Sequence, residues 1–331
     1  MPGASRPFIE GGGAQTYPQP YRIEGADFYA FLLAADAKAL VAVCDRYLNP
    51  LARDGMRYHP LVGRVMLGIT DIRKIQIGAR DDRKFWTPEI DVAFWVPVVA
   101  VHRVAGVDVV SRFAWMMTYV VVDDTWAVAS GREVYGFPKA LGVIRRQAAA
   151  RGPGAQVALD SLTVDTLAVA KFGPDAEAHV QRLLEVRRVG AGSPGAPARA
   201  WVTLREAAAD FFALLSGGGS GRLTLPGPGL LVELFDLLRH HEYPLVFLKQ
   251  FRDAADGTQA CYQAVVEAPV RITSFRGGGW LDGEYRLRIE PLESHPIAQE
   301  LGLAGPEPRI LAATYMAFDF DIGDGRVIWE N

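Results

Sequence analysis

Cysteine is scarce in this chain: Cys44 and Cys261 are the two among 331 residues. They stand far apart and no Cys-x-x-Cys occurs, so no disulfide framework is expected. Cys44 falls on the apolar face of a predicted helix, the usual place of a buried thiol. An excess of one charge is missing as well. Thirty-five basic and 38 acidic residues give a formal charge of −3, without a basic block, and nucleic acid is not an expected partner. No apolar run reaches the ~18 residues of a membrane span, and no membrane partner is expected. The N-terminal Met1-Pro-Gly-Ala-Ser-Arg-Pro7 lacks the apolar run of a secretory signal, which predicts a cytoplasmic protein. Gly277-Gly-Gly279 lacks the lysine and hydroxyl residues of a phosphate loop. His240 and His241 are adjacent and would diverge on a helix, so neither a metal nor a cofactor is predicted.

What is present is a strand-rich pattern. Half the residues are hydrophobic, ample for a large core. Residues 1–20, rich in Gly, Pro and Gln, read as a loose arm. Asp36 is an N-cap for a helix with Leu40, Val41, Cys44 and Leu48 on one face, stopped at Asn49-Pro50. Strands are predicted over 62–77, 87–101 and 113–122, then a short strand over Trp126–Ala129 and a strand pair over 157–172. From about 176 to 241 the character changes to a helical insertion. Thr203 and Glu206 form a capping box there, and Leu230, Leu234, Leu237 and Leu238 stripe a second helix. These two helices would cover a barrel mouth or make a subunit contact. Strands return from Leu245, and Asp324-Gly325 signals a final hairpin.

The residues that carry chemistry cluster in Gly131-Arg-Glu-Val-Tyr-Gly-Phe-Pro-Lys-Ala-Leu-Gly142. Pro138 fixes its own φ and biases Phe137 toward an extended conformation, so Lys139 sits at a stiffened break. A lysine in apolar company has its ammonium form disfavoured, and its amine can then attack a carbonyl. The plainer alternative is a surface lysine whose stem lies over apolar neighbours. Glu89 and Asp91 point to one face of a strand. Two adjacent carboxylates can raise one pKa and make a general acid, or can simply be a solvated strand end.

The 131–142 stretch resembles the active-site segment of the acetoacetate decarboxylase family, roughly Gly-Arg-Glu, three residues, then Pro-Lys-Lys-Leu-Gly. Met116-Met117 and Asp123-Asp124 upstream fit with similar spacing. The similarity runs over about 21–175 and again over about 243–322. The resemblance implies that Lys139 forms a Schiff base with a keto acid. It also implies that a family glutamate, six residues before a comparable proline, falls on Asp91. The sequence departs from the family at the second lysine, which is Ala140. An arginine of the family aligns with Ala26, and a second glutamate with Met66. Acetoacetate itself is therefore not the expected substrate, while Schiff-base chemistry is retained.

Together these readings predict an α+β chain: an antiparallel, cone-like β-barrel with peripheral helices, one domain over 21–331 with the insertion inside it. The expected activity is that of a Schiff-base-forming lyase (decarboxylase, aldolase or dehydratase) on a small keto acid or 1,3-dicarbonyl. Lys139 would be the nucleophile, Asp91 and Glu89 would move protons, and Glu133 would orient. Arg132, Tyr135, Phe137, Trp126 and Met117 are the candidate substrate contacts, although Arg132 and Glu133 read equally as a structural ion pair. The alternative is a non-catalytic barrel that binds a small apolar carbonyl compound. In either case a homo-oligomer is expected.

Overall fold

The computed structural model describes residues 7–9, 11–13, 15–53, 55–77, 85–104, 107–149, 158–190, 200–216, 241–281 and 283–331. In chain order the elements are β1 (Tyr21–Ala34), α1 (Ala37–Tyr47), β2 (Met56–Pro60), β3 (Arg64–Ile77), β4 (Trp86–Val104), β5 (Val107–Val122), α2 (Thr125–Ser130) and β6 (Lys139–Ala149). Then come β7 (Ala158–Ala168), β8 (His179–Gly190), β9 (Ala200–Trp201), α3 (Leu204–Ser216), β10 (Leu245–Arg252), β11 (Ala260–Ala268) and β12 (Val270–Trp280). The last are β13 (Glu284–Ile289), α4 (Ile297–Glu300), β14 (Ile310–Ile322) and β15 (Arg326–Glu330).

The architecture is mostly strand with few helices. Fifteen strands form one sheet whose main path is β13-β8-β7-β6-β5-β4-β3-β1-β14-β12-β9. Two expectations are corrected here. Among the described residues the path does not close into a barrel. The sheet is also mixed, because β6 and β10 each pair parallel to β5 while the other ladders are antiparallel. A third correction concerns the end of the chain: β15 pairs with β11 rather than folding back on β14, so Asp324-Gly325 does not close a hairpin.

The central strands are buried on both faces, which is why they read as near-continuous apolar runs. In β1, Tyr29, Phe31 and Leu33 enter one core, while Phe28, Ala30 and Leu32 enter the other. The first core is sealed by α1, where Leu40, Val43 and Cys44 are buried and Asp36 caps the helix through the amides of Lys38 and Ala39. Burial pushes the Cys44 thiol up to about 12. The second core surrounds the cavity described below. Pro97 sits where β4 passes from β3 to β2, beyond the last paired residue of one ladder and before the other, so its missing N–H breaks neither.

The stretch expected to be a helical insertion from about 176 begins with the strand β8, paired to β7 and β13. Residues 157–172 likewise supply one strand, β7, rather than a pair. The capping box forms as read: Thr203 accepts from the Glu206 amide at 3.3 Å and Glu206 accepts from the Thr203 amide at 3.1 Å. The second predicted helix, around Leu230–Arg239, lies outside the described residues. No helix among the described residues is long and apolar enough to cross a membrane.

Candidate active site

The segment after β5 was read as a strand and is instead a helix. Asp124 accepts from the amides of Trp126 and Ala127, and this cap outweighs the strand preference of Trp and Val. The helix α2 widens into a turn over Gly131–Tyr135 with an i to i+5 bond, the Gly136 amide donating to the Gly131 carbonyl at 3.0 Å. Gly136, at φ 90°, stops it. The Phe137 amide donates to the same Gly131 carbonyl at 3.1 Å, and β6 then begins on Lys139 itself. The turn thus delivers Lys139 to the edge of β5, opposite Val120. Gly131 leaves the lysine room, since a Cβ on it would stand 2.8 Å from Lys139 Cδ.

Lys139 projects into a cavity of about 200 Å³ within the second core. Its Nζ donates to Glu89 Oε1 at 2.7 Å and lies 5.3 Å from the Phe137 ring centroid. The Lys139 side chain is 12% exposed and that of Glu89 4%. Asp91 lines the same cavity, as strand alternation requires of residues two apart. Thr70, directly opposite on β3, donates to Asp91 Oδ1 at 3.1 Å. Burial first, and Glu89 second, push the Asp91 carboxyl up to about 7, against the pull of Lys139 and the Thr70 bond. The site therefore holds an amine, a carboxylate touching it, and a second carboxyl able to keep its proton near neutrality.

Of the residues singled out in the sequence, Lys139, Glu89, Asp91, Phe137 and Met117 come together on the cavity wall. The other four do not line it. Arg132 is exposed and donates to the Lys139 carbonyl at 3.2 Å. Glu133 is half-buried in the wide turn. Tyr135 is fully buried behind the wall and donates to the Gly323 carbonyl at 2.7 Å. Trp126 packs on Tyr17 and Phe85, with ring centroids 5.9 and 4.9 Å away. Leu141, counted among the lysine's apolar company, is 47% exposed. The amine's nearest polar neighbour is a carboxylate, so its surroundings are less purely apolar than the sequence suggests.

Three further polar wall residues, Tyr17, Thr70 and Ser130, leave no local mark in the sequence. Tyr17 belongs to the segment read as a loose arm, yet it is buried, and its amide donates to Ser130 Oγ at 3.2 Å. Burial and Glu89 raise its phenol, which stays protonated as a donor. Among the described residues, no group of three His, Cys, Asp or Glu is placed to hold a metal ion.

No described family matches this sequence and no curated protein matches it. Solved structures do. An acetoacetate decarboxylase from Legionella pneumophila aligns over 100% of this chain and 93% of its own, with a TM-score of 0.54 at 16% identity. The enduracididine biosynthesis enzyme MppR, in complex with the condensation product of pyruvate and imidazole 4-carboxaldehyde, aligns over 99% of each chain, with a TM-score of 0.53 at 12% identity. An acetoacetate decarboxylase-like enzyme from Sphingomonas wittichii aligns over 96% of each chain, with a TM-score of 0.52 at 14% identity.

Proposed function

We propose that this chain, which has the acetoacetate decarboxylase-like fold, is a Schiff-base-forming lyase that acts on a small carbonyl compound through Lys139. The observation that carries the reading is the contact of Lys139 with Glu89 at 2.7 Å inside a cavity that Asp91 also lines. Glu89 accepts a proton from the ammonium, and the freed amine adds to the substrate's carbonyl carbon. Asp91 gives a proton to the carbonyl oxygen. The nitrogen's second proton passes to the same oxygen, which leaves as water as the C=N bond forms. The resulting iminium accepts the electron pair of a neighbouring bond, whether to a carboxyl group, to carbon or to hydrogen. Keto acids and 1,3-dicarbonyls both offer such a bond. MppR, with its pyruvate-derived product, shows the fold in the company of this substrate class.

The test is reductive trapping. Incubation with pyruvate, acetoacetate or 2,4-pentanedione plus borohydride should add the reduced ligand mass to the peptide that contains Lys139. No added mass across the panel, with an acetoacetate decarboxylase labelled in parallel, would refute the lyase reading. It would leave the second reading, a barrel-derived fold that binds an apolar carbonyl compound without turnover. The apolar wall of the cavity supports that second reading.

A further inference from the structure

Away from the amine the cavity changes character. Its far wall is built by Ile272 of β12, by Met316 and Phe318 of β14, and by Ala207 and Ala208 of α3. Trp95 and Trp115 form another side, their rings 6.1 Å apart and edge to face. An apolar space of ~150 Å³ takes up a benzene-sized solute, and this partly open cavity measures about 200 Å³. It has room for a hydrocarbon body beyond the reacting carbonyl.

The charges at the reacting end point the same way. Lys139 is the single cation among the described lining residues, and Glu89 already engages it. Asp91 adds a second acid. A substrate carboxylate would lose its hydration facing the Glu89 carboxylate and an amine already in use, a costly burial. A neutral ketone brings no such cost, and its hydrocarbon part gains from the wall. Ala207 and Ala208 present only small apolar side chains to it.

We propose that the compound reaching Lys139 is an uncharged carbonyl compound with an apolar body, such as a long-chain or aryl 1,3-diketone, and not a keto acid. Its attachment at Lys139 rests on the Schiff-base reading; its preference for this cavity does not.

The two are separated with ligands that cannot form an imine. Straight-chain alcohols from butanol to octanol, and octanoate, are titrated into the intact protein while its tryptophan fluorescence, to which Trp95 and Trp115 in the wall contribute, is followed. Affinity should rise about fourfold per methylene, and octanol should bind at least tenfold more tightly than octanoate at pH 7.5. In a second arm, octanol should block borohydride labelling of Lys139 by 2,4-pentanedione, and 2,4-nonanedione should label at lower concentration than acetoacetate. Octanoate binding as well as octanol, or no dependence on chain length, overturns the proposal. So does preferential labelling by acetoacetate. If no carbonyl compound labels Lys139 while the alcohol series behaves as stated, the Schiff-base reading falls and the apolar preference stands.

Discussion

Lys139 and Glu89 meet at 2.7 Å although their strands are not neighbours. β5 lies between them, with Lys139 of β6 opposite Val120 on one side and Ala93 of β4 opposite the same residue on the other. The pair therefore clamps three strands across the wall of the cavity. Each partner's main chain is held by its own ladder.

Replacing Glu89 by Gln should show this directly. The substitution leaves the Lys139 ammonium nearly buried beside a neutral amide, which should cost roughly 3 kcal/mol of stability. Trapping at Lys139 should slow by about 10²–10⁴-fold, the usual contribution of a positioned base. Urea unfolding and timed borohydride quenching measure the two effects. An unchanged unfolding midpoint would mean that the pair contributes nothing to the fold.

Asp91 makes stability depend on pH in a defined direction. Its folded-state pKa lies near 7, above the ordinary carboxylate value, so between about 4 and 7 the folded state binds more protons than the unfolded one. Stability from this group is complete at low pH and is lost as pH rises through about 7. Asp91→Asn should therefore gain on the native protein as pH rises, by about 1–3 kcal/mol at pH 8 relative to pH 4. Urea midpoints of the two proteins at both pH values give the answer; a constant difference would count against a raised Asp91. Trapping by the native protein should fall across the same interval, as the acid form disappears.

Gly131→Ala should separate position from stability. The added methyl would stand 2.8 Å from Lys139 Cδ, so the lysine stem must shift. Gly131 already has helical dihedrals, φ −61° and ψ −44°, so Ala costs the backbone nothing. The variant should unfold at the same urea concentration or slightly higher, yet trap substrate more slowly by at least ~10-fold, because small displacements of a reacting group are expensive. Equal trapping rates would show that the stem has slack.

Gly136→Ala should do the opposite. Here φ is 90°, and a Cβ would stand 2.5 Å from Lys249 Cα, a backbone atom that cannot swing aside. A loss of roughly 2–4 kcal/mol is expected, visible as a lower thermal midpoint. A variant as stable as the native protein would show that the turn can be rebuilt without this approach.

Much of this arrangement was legible because strand alternation is strict. Two residues apart on one strand means one face, and Glu89 and Asp91 were placed together on that ground alone. The Pro138-Lys139 break likewise marked the start of β6. Pairing between distant segments was not legible. Nothing local says that Thr70 stands opposite Asp91, or that β15 chooses β11. α2 was misread because Trp126 and Val128 favour strands, whereas the deciding interaction is one cap from Asp124. Tyr17 was missed for a related reason. Its neighbours carry no periodicity, and distant residues such as Phe85, Trp126 and Ser130 help to bury it.

β1 lies between β3 and β14, and the Gly25 amide donates to Asp319 Oδ1 across 294 residues of sequence. The cavity shares this span, with Tyr17 on one wall and Phe320 on another. On a translating ribosome that interval takes roughly 15–60 s. During that time one edge of β1, with Phe28 and Phe31 on its two faces, has no partner strand. The site cannot be assembled piecemeal as the chain emerges. Nascent chains stalled before residue 310 should bind chaperones and lack the pocket, and its appearance should mark the last step of maturation.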